Sequence, residues 1–317
     1  MARPAYPLAM AAALPEPRAV FDCAMHDGAV IRVRQHGQPG GPRVVVSHGN
    51  GLAVDGYFPF WGRLCAGYEV IVFDMRNHGH NPVHELESHD WANFARDVGS
   101  VQASIEAELG AKPATGIFHS LSAAASLADA VDGGGHWHAL VAVDPPAPPP
   151  DGHPLQAAHD RDMGELGRRA HRRPERYRSL GMLEFLLRAG KESQHWVDGS
   201  QKLMAASTVR ADEEAGDFVT VCPPAFEARC FETNDDSGIW QRGGAIECPV
   251  LVLGGDPAST LARSTAAISQ ELARMHGWAY IYLPDTSHFL QLEQPGAAIE
   301  AIEGFLASLK PVARVRL

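Results

Sequence analysis

Apolar and polar positions alternate along this chain between two textures. Compact, β-branched runs ending in Gly, Asp, His or Ser recur at "RVVVSHG" (43–49), "YEVIVFD" (68–74), "ATGIFHS" (114–120), "HALVAVD" (138–144), "CPVLVLGG" (248–255) and "AYIYLPD" (279–285). Runs this continuous predict strands buried on both faces, as a parallel sheet requires. "AVIRVRQHG" (29–37) alternates instead, as a half-exposed strand does. Segments with helical spacing lie between, including "DWANFARDVGSVQASIEAEL" (90–109) and "LARSTAAISQELARMH" (261–276). Strand–helix alternation of this kind predicts an α/β, doubly wound sheet with helices on both faces.

The alternation breaks once. After Asp144 comes "PPAPPPDGHP", where neither a helix nor a central strand can continue. From about 151 to 243 the chain is polar and helix-like, with no strong strand before "CPVLVL". The expected organisation is a core of residues 19–150 and 244–317, a helical cap or lid at 151–243, and a disordered leader at 1–18. No internal repeat is apparent.

Composition narrows the function more than the fold. With 45% hydrophobic and 21% charged residues, the 317-residue chain reads as an ordinary folded protein. A formal net charge of −11 argues against a nucleic-acid partner, because no basic surplus exists to neutralise phosphates. The one basic cluster, "RRAHRRPERYR" (168–178), is either a solvated helix face or a docking site for an acidic group on a substrate. Five cysteines form no CxxC pair and no metal spacing, which suits reduced thiols in a cytoplasm; no metal or organic cofactor is expected for the chemistry read below. The opening "MARPAYPLAMAAALPEPRA" has an apolar run, but its prolines and the lone Arg3 ahead of that run make a poor signal peptide. No run approaches transmembrane length, so no membrane partner is expected.

In open α/β sheets, ligands bind beyond the carboxyl ends of the strands. Those ends carry His48-Gly49-Asn50, Asp74, Ser120, Asp144, Asp256 and His288. Ser120 follows an apolar run and precedes the small residues of "LSAAASLADA", as a nucleophile on a tight strand–helix turn would. Phe118 and Ser122 stand where that turn usually has glycine, and a plain helix-capping serine is the competing reading. His288, in "YLPDTSHFLQLEQP" beyond the last strand run, occupies the place of the base that takes a serine's proton. Two carboxylates compete to orient it. Asp144 ends the strand after that of Ser120. Asp256 sits two residues before the G-x-x-D position, which holds Ala258. Asp144 is preferred, with Asp256 the alternative. The amides of Asn50 and Leu121 are expected to hold an oxyanion, with the Asn50 side chain a further donor, and Gly49 and Gly51 let the backbone approach substrate.

Taken in order, "VVVSHGNG", "VIVFDMRNHGHN", "FHSLSAAAS", "LVAVDPP" and "PDTSHFLQLEQP" resemble the α/β-hydrolase superfamily over most of the chain outside the cap. "FDMRNHGHN" is similar to that family's D-x-R-G-H-G-x-S loop, with Asn77 for Gly and Asn81 for Ser. "SHGNGLAVDGYFPFW" and "FVTVCPPAFEARCFE" resemble acyl-CoA hydrolase-like members. Zearalenone lactonases and many haloalkane dehalogenases in this branch take their acid after the sixth strand, which implies Asp144. A dehalogenase of the usual kind is excluded, because its aspartate nucleophile would be Ser120.

The resemblance implies an α/β-hydrolase fold with a mostly parallel eight-stranded sheet. It also implies a serine hydrolase acting on an ester, thioester or lactone through an acyl-enzyme, with Ser120, His288 and Asp144 as triad. Acyl transfer or C–C cleavage on the same residues, or a non-catalytic ligand receptor, are the competing functions. The substrate is expected to be a small ester-like molecule, and a homo-oligomer is left open. Gly49, Gly51, His119 and Phe289, with Tyr177, Phe185, Trp196 and Met204 of the cap, are the expected pocket residues.

Overall fold

The computed structural model describes residues 14–233 and 237–309. Eight strands form the main sheet: β1 (Ala19–Ala24), β2 (Val30–Gly37), β3 (Arg43–Ser47), β4 (Glu69–Phe73), β5 (Ala114–His119), β6 (Ala139–Val143), and, later in the chain, β10 (Val250–Gly254) and β11 (Ala279–Tyr282). Between β6 and β10 lie the short strands β7 (Arg176–Tyr177), β8 (Val209–Asp212) and β9 (Asp217–Thr220). The main sheet runs in the order β1-β2-β4-β3-β5-β6-β10-β11. From β4 to β11 neighbouring strands are parallel, while β1 and β2 are antiparallel additions at one edge. This is an α/β-hydrolase fold, and every apolar run read from the sequence became a strand.

Parity along the strands builds two cores. Val45, Ile71, Phe73, Phe118 and Val252 face one side, packed against the helices Trp91–Leu109, Leu121–Val131 and Ser264–His276. Val44, Val46, Val70, Val72, Val141 and Leu253 face the other, against the helices Phe58–Leu64 and Pro295–Ser308. Every residue of β3, β4, β5, β6 and β10 is buried, which accounts for the unbroken apolar runs.

Among the described residues, the segment between β6 and β10 holds five α-helices, Gln156–His171, Leu180–Ala189, Ser200–Ser207, Pro224–Glu232 and Ile239–Arg242. It also holds a three-stranded antiparallel sheet in the order β7-β9-β8, where the sequence predicted helix alone. These strands are two to four residues long and partly exposed, too short and too polar to show a period. Residues 1–13 of the expected leader lie outside the described residues. Arg18, at its other end, is tied to β2 through its amide to the Gln35 carbonyl (2.7 Å) and its guanidinium to the Gly37 carbonyl (2.6 Å). Among the described residues no helix is long and apolar enough to cross a membrane.

Candidate active site

Ser120 sits between β5 and the Leu121–Val131 helix at φ 52°, ψ −112°. This left-handed conformation is disfavoured for any residue with a Cβ and survives only where surroundings impose it. Two ties impose it. The Ser120 amide donates to the Val143 carbonyl (2.9 Å), continuing the pairing of β5 with β6 past the strand end. The Ser122 hydroxyl, fully buried, donates to the His119 carbonyl and accepts from the His119 amide (both 3.0 Å). Ser122 is thus small enough for the glycine position and braces the turn as well.

Phe118 solves the other departure differently. Its ring is fully buried, edge-on to Trp137 (5.3 Å between ring centres) and Phe73 (6.2 Å). It lies over Gly116, two residues earlier on the same strand face, where an added Cβ would sit 2.3 Å from the Phe118 ring. The missing glycine has in effect moved back two positions. Gly116→Ala is therefore expected to destabilise the protein by about 1–3 kcal/mol through overpacking. Thermal melts of Gly116→Ala, Phe118→Leu and the double variant check this: the cost of Gly116→Ala should shrink once residue 118 is leucine.

His288 lies in the loop after β11, with its Nδ1 donating to Asp144 Oδ2 at 2.6 Å. Asp144 follows β6 at φ 46° and is 1% exposed. Its carboxylate also accepts from the Thr265 hydroxyl (2.5 Å, Oδ2) and the Ser269 hydroxyl (3.2 Å, Oδ1). Thr265 and Ser269 stand one turn apart on the Ser264–His276 helix, so both reach the same carboxylate. Neither was among the residues picked from sequence; the only signal was two hydroxyl residues four apart at a helix start.

Asp256 is elsewhere. Its carboxylate accepts from the amides of Ala258 (2.8 Å) and Asp285 (2.9 Å), bracing the loop that carries His288 rather than touching the imidazole.

His119 proves to be a linker. Its Nε2 donates to the His288 carbonyl (2.9 Å), which leaves Nδ1 to accept from the Tyr57 hydroxyl (2.7 Å). Tyr57 in turn accepts from the Gly49 amide (3.2 Å). One chain of hydrogen bonds thus joins the loop after β3, the serine turn and the His288 loop. Burial, and then the nearby His288 charge, hold His119 well below the usual histidine range, so it stays neutral when His288 is protonated.

The loop after β3 is braced from beneath. His78 Nε2 accepts from the Gly51 amide (3.0 Å), and His48 Nε2 accepts from the Met75 amide (3.0 Å). Burial pushes both imidazoles down and keeps them neutral acceptors; for His78 the neighbouring His48 and His89 add to the effect. Asn77 takes the left-handed turn (φ 63°) that glycine would otherwise fill, a conformation asparagine tolerates better than most residues. Asn81 donates to the carbonyls of Asp74 (2.7 Å) and Met75 (3.0 Å). The Asn50 side chain, expected as an oxyanion donor, donates instead to the Glu227 carbonyl (2.9 Å) and anchors its loop to the insertion. Leu121 opens its helix, so its amide has no acceptor within that helix.

Ser120, Leu121, His288, Gly49, Asn50, Gly51, His119, Trp196 and Phe289 all line one cavity of ≈ 420 Å³. That size lies within the roughly 300–1,000 Å³ usual for small-molecule sites. Three expected pocket residues are not there. Tyr177 packs with Leu183, Ala205 and Val209 in a small core of the insertion. Phe185 is 69% exposed, on the outer face of its helix. Met204 is buried against Gly56 and the Ala53 amide. Residue type alone cannot tell an apolar side chain packed inside the insertion from one facing the cavity.

The fold recurs among solved structures. An E-2-(acetamidomethylene)succinate hydrolase is similar over 92% of this chain and 99% of its own (TM-score 0.74, 19% identity). The thioesterase domain from the curacin biosynthetic pathway is similar over 90% and 100% (TM-score 0.70, 19% identity). An esterase from Rhodococcus sp. ECU1013 is similar over 92% and 99% (TM-score 0.65, 21% identity). No curated protein sequence matches the chain. The sequence profile of the alpha/beta hydrolase family matches residues 44–302, from the start of the parallel strands to the last helix, and the chain belongs to that family.

Proposed function

We propose that this protein is a serine hydrolase that cleaves an ester, thioester or lactone through an acyl-enzyme. One observation carries the reading. A strained serine on a strand–helix turn shares a cavity with a histidine whose far nitrogen is bonded to a buried carboxylate. Ser120 Oγ attacks the carbonyl carbon. With Nδ1 engaged by Asp144, His288 offers Nε2 to take the serine proton and later give it to the leaving group. The negative charge that develops on the carbonyl oxygen is met by the amides of Asn50 and Leu121. Water, deprotonated by His288, then releases the acyl group. The insertion at 151–243 acts as a cap, since Trp196 and several residues of the Gln156–His171 helix line the same cavity as Ser120. The chemistry needs no metal or organic cofactor, and a location in the cytoplasm fits its five thiols, none disulfide-bonded. Structural relatives named for ester and thioester hydrolysis are in keeping with this substrate range.

A fluorophosphonate probe tests the proposal. It is expected to label the wild-type protein covalently and to map to the peptide containing Ser120. Absence of labelling in folded protein would overturn the acyl-enzyme route.

A further inference from the structure

The chain carries a net charge of −11, yet its candidate active-site cavity is lined by five cationic side chains and two carboxylates. Both carboxylates are already matched. Arg173 pairs with Glu227 at 2.6 Å, and Arg263 pairs with Glu192. Although burial opposes its charge, Glu227 holds the Arg173 guanidinium cationic. That leaves Arg169, Arg172 and Lys191, whose side chains make no ion pair or hydrogen bond among the described residues. We infer that the substrate bears a carboxylate or phosphate apart from its scissile carbonyl, and that Arg169, Arg172 and Lys191 receive it.

The grouping is not explained by helix chemistry alone. Arg168 and Arg169 both lie in the last turn of the Gln156–His171 helix, where positive charge complements the helix dipole. Only Arg169 faces the cavity; Arg168 does not. Lys191 arrives from a different element, just after the Leu180–Ala189 helix, and lines the same cavity. All three are solvent-exposed where they line the cavity, so water screens their mutual repulsion and leaves them accessible to a ligand. An anionic group relieves that repulsion and gains charge-assisted hydrogen bonds. The basic cluster at 168–178 thus divides: Arg169, Arg172 and Arg173 line the cavity, and Arg168, Arg176 and Arg178 do not.

The inference rests on the hydrolase reading, and the test separates the two. Matched esters are compared: p-nitrophenyl pentanoate with p-nitrophenyl hydrogen glutarate, for an anion on the acyl side. Acetyl-N-acetylcysteamine with acetyl-CoA does the same for the leaving group. Wild-type protein is expected to favour the anionic member of one pair at least tenfold in kcat/KM, and the pair identifies which side carries the charge. Arg172→Gln with Lys191→Gln should collapse that ratio to near one, mainly through KM, while Arg168→Gln should leave it intact. Calorimetric binding of monomethyl glutarate and of inorganic phosphate to Ser120→Ala protein reads the anion site without turnover. Turnover of neutral esters with no anionic preference and no anion binding would overturn the inference and leave the hydrolase reading standing. Anion binding that is lost in Arg172→Gln/Lys191→Gln, in a protein that turns over no ester, would do the reverse.

Discussion

Ser120→Ala is expected to lower kcat for any ester substrate by about 10⁴- to 10⁶-fold while leaving the fold and its melting temperature nearly unchanged. The size follows from the serine's place in a unit: without Oγ, neither His288 nor the oxyanion amides have an attacking atom to assist. Stability is spared because alanine keeps the Cβ and the backbone ties of the turn, including the Ser120 amide to Val143. Ser120→Gly sharpens the test. At φ 52°, ψ −112°, glycine pays none of the strain that serine and alanine share. It should be as inactive as Ser120→Ala but more stable than it, by up to about 1–2 kcal/mol. Initial-rate kinetics with p-nitrophenyl esters and calorimetric melting read both effects. Residual activity above a hundredth of wild type in Ser120→Ala would mean that another group supplies the nucleophile.

Asp144→Asn is the second large effect, expected at about 10⁴-fold in kcat. An amide with its NH₂ at the Oδ2 position turns a donor toward both His288 Nδ1 and the Thr265 hydroxyl, whereas the flipped amide keeps an oxygen there and sets its NH₂ against the Ser269 hydroxyl. In the first orientation the imidazole is driven to carry its proton on Nε2, which can then no longer accept the serine proton. In either orientation the imidazolium formed during turnover loses its buried counter-charge. Asp256→Asn is expected to stay within about tenfold of wild type, because its carboxylate only accepts backbone amides, and one amide oxygen can still accept a hydrogen bond. Steady-state kinetics on the two variants side by side decide the acid: a severe loss in Asp256→Asn with Asp144→Asn spared would reverse the assignment.

The strands of the core were legible because burial on both faces forces continuous apolar sequence, which survives without knowledge of neighbours. The candidate nucleophile and base were legible because the ligand side of this architecture lies beyond the strand ends, and Ser120 directly after β5 and His288 in the loop after β11 come in an interpretable order. Glycine spacing at the serine turn misled only in its location. Gly116 was visible, but that it made room for Phe118 depended on side chains two residues apart sharing one strand face in a crowded core.

What the sequence by itself determined was therefore the sheet and the order along the chain of its chemistry-bearing strand ends, among which Ser120 and His288 stood out as candidates. Which carboxylate meets His288, Asp144 and not Asp256, needed coordinates, since two carboxylates in adjacent loops differ by where they point rather than by pattern. Thr265, Ser269, Tyr57 and the linking role of His119 likewise lie far apart in the chain and meet only when the helices dock on the sheet. The pocket wall was decided last, because packing alone turned Tyr177 and Met204 inward, left Phe185 outside, and set Arg169, Arg172 and Lys191 on the cavity. Backbone pattern is a local property of the chain, whereas the direction of a side chain in a packed interior is set by residues that the chain brings there from elsewhere.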